Sequence, residues 1–250
     1  MIHFREIERI AYALQKRLTF ANVRKWHYTR VLQDLHRILA PQQYFEIGVR
    51  RGHSLTLAQC PAIGVDPAYD LLQEPRADTV LFRQTSDDFF ASPQLATALG
   101  GRRIDLAFID GWHNSEFVIR DFMNTEPHCS PHGAIVIDDV LPRTSDQAVR
   151  KPHGRAWTGD VWKAADCLIR HRSDLQLTFV ECLPTGLLVV QGLDPMNTSL
   201  RARYDEIEAE LVSPHGSLMP PRAYRKLFRS PAVALGRIRS LHASRGGGLA

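Results

Sequence analysis

Apolar residues along this chain recur in two rhythms. Up to Pro41 they return at three- and four-residue spacing, first as Ile7, Ile10, Ala11 and Leu14, then as Val31, Leu32, Leu35, Ile38 and Leu39. That spacing predicts helix over residues 4–39, with Pro41 ending it. Beyond Pro41 short unbroken apolar runs take over: Tyr44–Ile47, Ala62–Val65, 79–83, Ile104–Ile109 and 134–137. Runs of this length, closed by Gly or Asp, predict strands. Between them, 53–59, 86–99, 115–126 and 160–172 carry helical spacing. The runs 175–182 and 186–191 predict a hairpin around Pro184-Thr185-Gly186.

Strands alternating with helices predict an α/β fold, a Rossmann-like doubly wound sheet with right-handed crossovers. Helices covering both faces explain why the strands are apolar throughout rather than alternating. The antiparallel hairpin then forms one edge. Ligands of such sheets bind beyond the carboxyl ends of the strands.

Composition narrows this further. The chain has 250 residues, 44% apolar and 23% charged, which excludes wholesale disorder and a coiled-coil rod. Its net charge is +4, an opening for nucleic acid. The charge is uneven, however. Residues 211–250 hold seven of the 31 basic side chains and no acid, leaving the preceding body slightly acidic. With Pro214, Pro220, Pro221, Pro231 and a terminal Gly run, this segment reads as a basic, loosely or partly helical tail rather than core. The expected organisation is a helical lead-in over 1–40, a catalytic domain over 41–192 and a helical, basic, partly flexible extension over 193–250. No stretch has the roughly 18 consecutive apolar residues of a membrane span, and the amino-terminal residues lack a secretory pattern. Cys60, Cys129, Cys167 and Cys182 show no metal spacing. A reducing, cytoplasmic setting with free thiols is expected.

The strand ends carry the polar chemistry. After the first strand, Glu46-Ile-Gly48-Val-Arg-Arg-Gly52-His-Ser54 places two glycines on a strand-to-helix turn, where backbone can approach a ligand closely. It is neither G-x-G-x-x-G nor a phosphate loop, which disfavours a nicotinamide enzyme. Asp66 ends the second strand, placed either to hold ribose hydroxyls or as a turn residue. Ser86 and Asp87 follow the third, placed to reach an adenine or to start a helix. Asp110-Gly-Trp112-His113 follows the fourth strand, and Asp138-Asp139 the fifth. Three carboxylates converging on one spot repel each other, so Mg²⁺ is a simple explanation; turn or cofactor-contact roles are the alternative. A neutral His113 beside them would be a general base, or else a residue that orients the loop. The connection 140–160 is too long for a plain turn and is placed to cover the site. Arg143, His153, Arg155 and Trp157 in it, with Trp112, are candidate substrate contacts. Trp162 reads as core.

Taken together, these residues resemble a class I S-adenosylmethionine-dependent methyltransferase over roughly residues 40–192. The segments that carry the likeness are Tyr44-Phe-Glu-Ile-Gly-Val-Arg-Arg-Gly-His-Ser54, Gly64-Val-Asp-Pro67, Phe108-Ile-Asp-Gly-Trp-His113 with Asp121, and Pro131-His-Gly-Ala-Ile-Val-Ile-Asp-Asp-Val140. The Ile-Asp-Gly-x-His pattern is similar to macrocin-type and rhamnosyl O-methyltransferases, which act on sugar or small-molecule hydroxyls. The resemblance implies the strand order 3-2-1-4-5-7-6, with strand seven antiparallel. It implies that Glu46, Gly48 and Gly52 hold the methionine end of the cofactor, that Asp66 holds its ribose, and that Ser86 and Asp87 lie near its adenine, with Ser54 and Asp110 also at the cofactor. In the metal-dependent members Asp110, Asp138 and Asp139 would bind Mg²⁺. Macrocin-type members carry an acidic base where this chain has Trp112, which shifts that role to His113; His132-Gly133 also replaces the usual Gly-Gly. The reading is a methyltransferase of small-molecule hydroxyls, acting with Asp110 and His113 as catalytic residues and able to form a homo-oligomer. A metal-independent methyltransferase, or a nucleic-acid-binding protein on a degenerate Rossmann core, is the alternative; the acidic body argues against nucleic acid.

Overall fold

The computed structural model describes residues 26–152, 157–213 and 215–246. The amino-terminal part of the predicted lead-in, up to residue 25, lies outside these, as do His153 and Arg155. Helix α1, Tyr28–Leu39, buries Val31, Leu32, Leu35 and Leu39 along one stripe. It stops where Ala40 turns left-handed (φ 43°) ahead of Pro41. Strands β1 (Tyr44–Ile47), β2 (Ala62–Val65), β3 (Thr79–Phe82), β4 (Ile104–Ile109), β5 (Cys129–Ile137), β6 (Gln176–Val180) and β7 (Leu187–Gln191) form one sheet. Its order is β3-β2-β1-β4-β5-β7-β6. The first five strands pair in parallel, and β7 runs antiparallel to both β5 and β6.

Strand alternation sorts side chains to the two faces. Tyr44, Leu106, Phe108, Ala134 and Val136 face α1 and the carboxyl-terminal helix α8 (Pro231–Gly246). Phe45, Ile47, Ala107, Ile109, Ile135 and Ile137 face the other layer. That layer holds α2 (Ser86–Phe90), α3 (Gln94–Leu99), α4 (Ser115–Thr125), α5 (Val161–His171) and α6 (Tyr204–Leu211), with a short α7 (Arg222–Arg225). Each large side chain so buried contributes about 1.5–3 kcal/mol, which is what holds such short strands in place. No helix among the described residues is long and apolar enough to cross a membrane.

The structure corrects several sequence expectations. The helix expected over 53–59 is a single 3₁₀ turn, Leu55–Leu57. The helix over 86–99 is two, broken at Pro93, which caps the second. Strand β5 starts at Cys129 rather than 134, and its polar opening residues bulge between the Ile104–Cys129 and Leu106–Ala134 pairs. The basic carboxyl-terminal segment, expected to be tail rather than core, buries Tyr224, Phe228, Ala234 and Ile238. Tyr224 and Phe228 pack edge-on against Phe179 of β6, and the Tyr224 hydroxyl donates to the Val140 carbonyl (2.9 Å). Trp162 is buried, as expected.

Candidate functional site

The sequence-predicted residues gather at the carboxyl ends of β1, β2, β4 and β5. Gly48 ends β1 with φ at 90°, and a Cβ there would lie 1.8 Å from the Asp110 carbonyl oxygen. Only glycine allows this close approach of the first and fourth strand ends. Asp66 braces the same turn: its Oδ2 accepts from the Arg50 amide (2.8 Å) and its Oδ1 from the Ala68 amide (2.6 Å). Arg50 is held at φ 46°, a conformation that a non-glycine residue keeps only under constraint. With two acceptor positions per carboxylate oxygen, Asp66 retains capacity for a further donor.

Glu46 lies beneath the turn and is fully buried. Its Oε2 accepts from the Tyr44 hydroxyl and its Oε1 from the Ser54 hydroxyl, both at 2.7 Å. Burial pushes its pKa up to about 8, with Asp110 and Asp66 adding to the shift and the two hydroxyl donors opposing it. Glu46 and Ser54 therefore satisfy each other and set the shape of the turn from below.

On the β3 side the helix cap is Thr85, which accepts from the Asp88 amide (3.1 Å), rather than Ser86. Ser86 bonds Asp121, a buried carboxyl whose pKa burial pushes up to about 7. Asp87 is taken up by Arg120, which donates to both its oxygens (3.0 and 2.7 Å) and reaches on to Glu208 (3.1 Å).

The densest chemistry lies at β4 and β5. His113 Nε2 lies 3.3 Å from Asp110 Oδ1, and its Nδ1 lies 2.9 Å from Asp139 Oδ2. Nδ1 is also 2.8 Å from the Trp157 carbonyl, so one ring N–H is shared between two acceptors. Asp139 turns toward the histidine because its backbone is left-handed, φ 62°. Asp138 turns elsewhere: its Oδ1 accepts from the Asp139 amide (2.7 Å) and the Thr185 hydroxyl (3.4 Å). Asp110, His113 and Asp139 offer ligand atoms within 4.8 Å of one another, a spacing suited to one cation. This set differs from the three aspartates expected, with the imidazole in place of Asp138.

Burial alone would lower the His113 pKa, but its bonds to Asp110 and Asp139 and their charges outweigh it and push the pKa up to about 11. The two carboxylates thus favour the imidazolium form of His113 over the neutral imidazole expected from the sequence. Asp110 is raised by burial against the opposing pull of His113. Asp138 is raised well above the carboxylate range by burial and then by Asp139 and Asp110. Two carboxylates and one imidazole fit a divalent cation. Hard cations such as Mg²⁺ favour oxygen, and the nitrogen widens the fit to transition metals.

Residues 157–160, the end of the connection after β5, lie against this cluster and are stitched down. A Cβ on Gly159 (φ 53°) would lie 1.6 Å from the His113 carbonyl oxygen. Asp160 Oδ1 accepts from the Ser115 amide (2.9 Å), and its Oδ2 takes Arg150 (2.6 Å) and Lys163 (3.2 Å). Arg150 also reaches Glu116. The Trp157 ring stacks on His113 at 4.9 Å, and Trp112, half exposed, meets Trp157 edge-on at 5.7 Å. These rings form a wall beside the cluster. Arg143 instead braces the β6–β7 hairpin by donating to the Pro184 and Cys182 carbonyls (2.9 and 3.3 Å). Sequence reasoning missed Asp160 and Arg150. Asp160 precedes an apolar helical run, which reads only as a helix start, and nothing local to either residue signals their pairing.

Residues 45–140 match a family described as Methyltransferase domain. A comparison with curated proteins finds no match. Among solved structures, this chain is similar to the O-methyltransferase TomG from Streptomyces achromogenes, in complex with SAM, at 18% identity and TM-score 0.46, over 67% of this chain and 80% of that one. It is similar to the SAH-bound methyltransferase PaMTH1 from Podospora anserina at 12% identity and TM-score 0.45, over 67% and 78%. The O-methyltransferase from Bacillus cereus, in complex with SAH, is similar at 13% identity and TM-score 0.46, over 65% and 79%. These structural likenesses are distant, and what those proteins bind is not carried over on their strength.

Proposed function

We propose that this chain is an S-adenosylmethionine-dependent methyltransferase acting on a hydroxyl of a small molecule or sugar with the help of a divalent cation. The observation that carries the reading is the convergence of Asp110, His113 and Asp139 within 4.8 Å at the strand ends, beside the glycine turn that ends β1. The match of residues 45–140 to a methyltransferase domain family supports the cofactor, and the acceptor class is suggested by the likeness of Ile109-Asp-Gly-Trp-His113 to macrocin-type enzymes.

When bound, the cofactor would supply an already activated methyl group and the cation would lower the pKa of the attacking hydroxyl. The remaining task is positioning for in-line attack, which falls to this chain. Gly48 lets the turn after β1 close against the Asp110 backbone and Gly52 lets it close against Leu71, shaping the backbone that would face the cofactor's methionine end, and Asp66 has acceptor capacity for ribose. Ser86 lies near the adenine end, while Asp87 is already committed to Arg120, so its role there is to position the segment. Asp110, His113 and Asp139 hold the cation. To hold a cation, His113 would give up the proton that Asp110 and Asp139 favour on it in the free protein, and the acceptor's hydroxyl proton would pass to a carboxylate of this cluster. Trp112 and Trp157 wall the acceptor's side. The partner class is a small molecule rather than nucleic acid, and the setting is cytoplasmic.

Calorimetry with S-adenosylhomocysteine and Mn²⁺ or Mg²⁺ tests this. The wild-type protein is expected to bind both. Asp139→Ala is expected to lose cation binding by at least about a hundredfold while keeping S-adenosylhomocysteine, the scale expected on losing a ligand. Absence of S-adenosylhomocysteine binding would overturn the methyltransferase reading. Full methyl transfer to a hydroxyl acceptor after chelation would overturn the cation alone.

A further inference from the structure

The face of the sheet under α1 carries three acids in two adjacent rows. Glu46 of β1 pairs in register with Phe108 of β4, which pairs with Val136 of β5. The Asp110 amide bonds to the Ile47 carbonyl and the Asp138 amide to that of Ile109, so the next row on this face is Gly48, Asp110 and Asp138. The side chain that covers these rows is Tyr28, at the first turn of α1. Its ring stacks on Phe108, with centroids 6.2 Å apart and planes within 17°. Its backbone is fixed to the β6–β7 hairpin, the Tyr28 amide donating to the Leu183 carbonyl (2.7 Å) and the Leu183 amide to the Trp26 carbonyl (3.0 Å). The adjoining Thr185 holds Asp138. The ring is therefore held from two sides over the row that contains Glu46, one step from Gly48, Asp110 and Asp138.

The Tyr28 hydroxyl makes no hydrogen bond among the described residues, although its side chain is partly buried against the core under α1. Burial, and then the charges of Asp110, Asp138, Glu46 and Asp139, raise its pKa, so it stays protonated. A phenol kept neutral among carboxylates is a donor that brings no charge of its own. The amino-acid end of the cofactor is a zwitterion. Its ammonium group suits these acids, but its carboxylate is repelled by them and needs an uncharged donor on the same side. Resting on the methyltransferase reading, we propose that Tyr28 is a binding residue for the cofactor, its hydroxyl donating to the carboxylate of the methionine moiety.

The test compares Tyr28→Phe with wild type by calorimetry, using S-adenosylhomocysteine and 5′-methylthioadenosine, which lacks the amino-acid end. Phenylalanine keeps the ring on Phe108, so the melting temperature should be unchanged. S-adenosylhomocysteine is expected to weaken at least about tenfold, the scale of one hydrogen bond to a charged group, while 5′-methylthioadenosine binds as before. Unchanged S-adenosylhomocysteine affinity, or an equal loss for both ligands, would overturn the assignment. If wild type binds neither ligand, the methyltransferase reading falls and this proposal falls with it. If wild type binds both and only the selective loss is missing, Tyr28 alone is misassigned.

Discussion

Two ionic clusters lie at opposite ends of the sheet, each built from one cation between two carboxylates, and they have different fates. Near the start of β5, Arg172 donates to both oxygens of Glu126 (2.6 and 2.8 Å) and to Asp174 (2.9 Å). The Asp194 amide takes up more of Glu126 (3.2 Å). The side chains of Arg172 and Glu126 are 1% and 3% exposed and their pairing is saturated, while Asp174 sits at the surface, 43% exposed. At the end of β4 and β5, His113 holds Asp110 and Asp139, but these side chains remain 21%, 27% and 11% exposed. Asp138 and Glu46 then add acid without adding a cation, and their pKa values rise. Burying a carboxyl with no cation of its own costs stability once it ionises, which is why both are held protonated. The Arg172 cluster matches its cation to the carboxylates around it; the β4–β5 cluster leaves acids that burial keeps protonated and that have no cation of their own, an arrangement suited to taking one up.

The largest separation between the two should come from deleting the cation of the closed cluster. Arg172→Ala leaves Glu126 buried and unpaired, which is expected to cost about 3–5 kcal/mol in urea unfolding. Cation and S-adenosylhomocysteine affinities of the folded fraction should stay at wild-type values. A loss under about 1 kcal/mol would mean that the Arg172 cluster is not the closed structural element described above.

The next separation is in pH, and the two clusters should pull in opposite directions. Asp174 has a pKa lowered by its bond to Arg172, so its contribution is present above the ordinary carboxylate value and is lost as pH falls through the folded-state pKa. Glu46 is the reverse. Its folded-state pKa is about 8, above the ordinary 4.5, so its contribution is full below 4.5 and is lost as pH rises through 8. With Asp138 raised in the same direction, the protein should lose stability between pH 5 and pH 9. Glu46→Gln should flatten that loss by a few kcal/mol, since one pKa unit is about 1.4 kcal/mol. Melts at both pH values measure it, and an equally steep loss in the variant would sink the account of Glu46.

How far each cluster was legible in the sequence follows from the same difference. Asp110, Asp138 and Asp139 stand at strand ends, where a topological rule directs attention, and the strands themselves are apolar runs that no helix of that length would carry. What the sequence hides is backbone sign and distance. Nothing marks Asp139 as left-handed, so the expected trio of aspartates became two aspartates and a histidine. The split at Pro93 was visible as a proline, but the helical spacing on both sides obscured it. Tyr224 and Phe228 were lost among arginines and prolines because a buried aromatic spaced four from another reads as surface when its neighbours are charged. Tyr28, Arg150 and Asp160 act across long stretches of chain, which local pattern does not encode.

The smallest expected effect concerns the strap against the open cluster. Asp160 caps the start of α4 through the Ser115 amide while taking Arg150 and Lys163, and so ties the connection after β5 to the loop that carries His113. Asp160→Asn keeps an oxygen for the Ser115 amide but removes the charge. Arg150 is about one-third exposed and can turn to water, while Lys163 keeps the Leu211 carbonyl, so losing the two charge-assisted pairs should cost about 2 kcal/mol. Function should be affected as well, because residues that orient ligands outside their own contact shell alter metal affinity by about tenfold or more. Cation titration of Asp160→Asn should therefore show weakened binding with S-adenosylhomocysteine affinity retained. Wild-type cation affinity in this variant would mean that His113 is positioned by Asp110 and Asp139 alone, and that the strap serves only the fold.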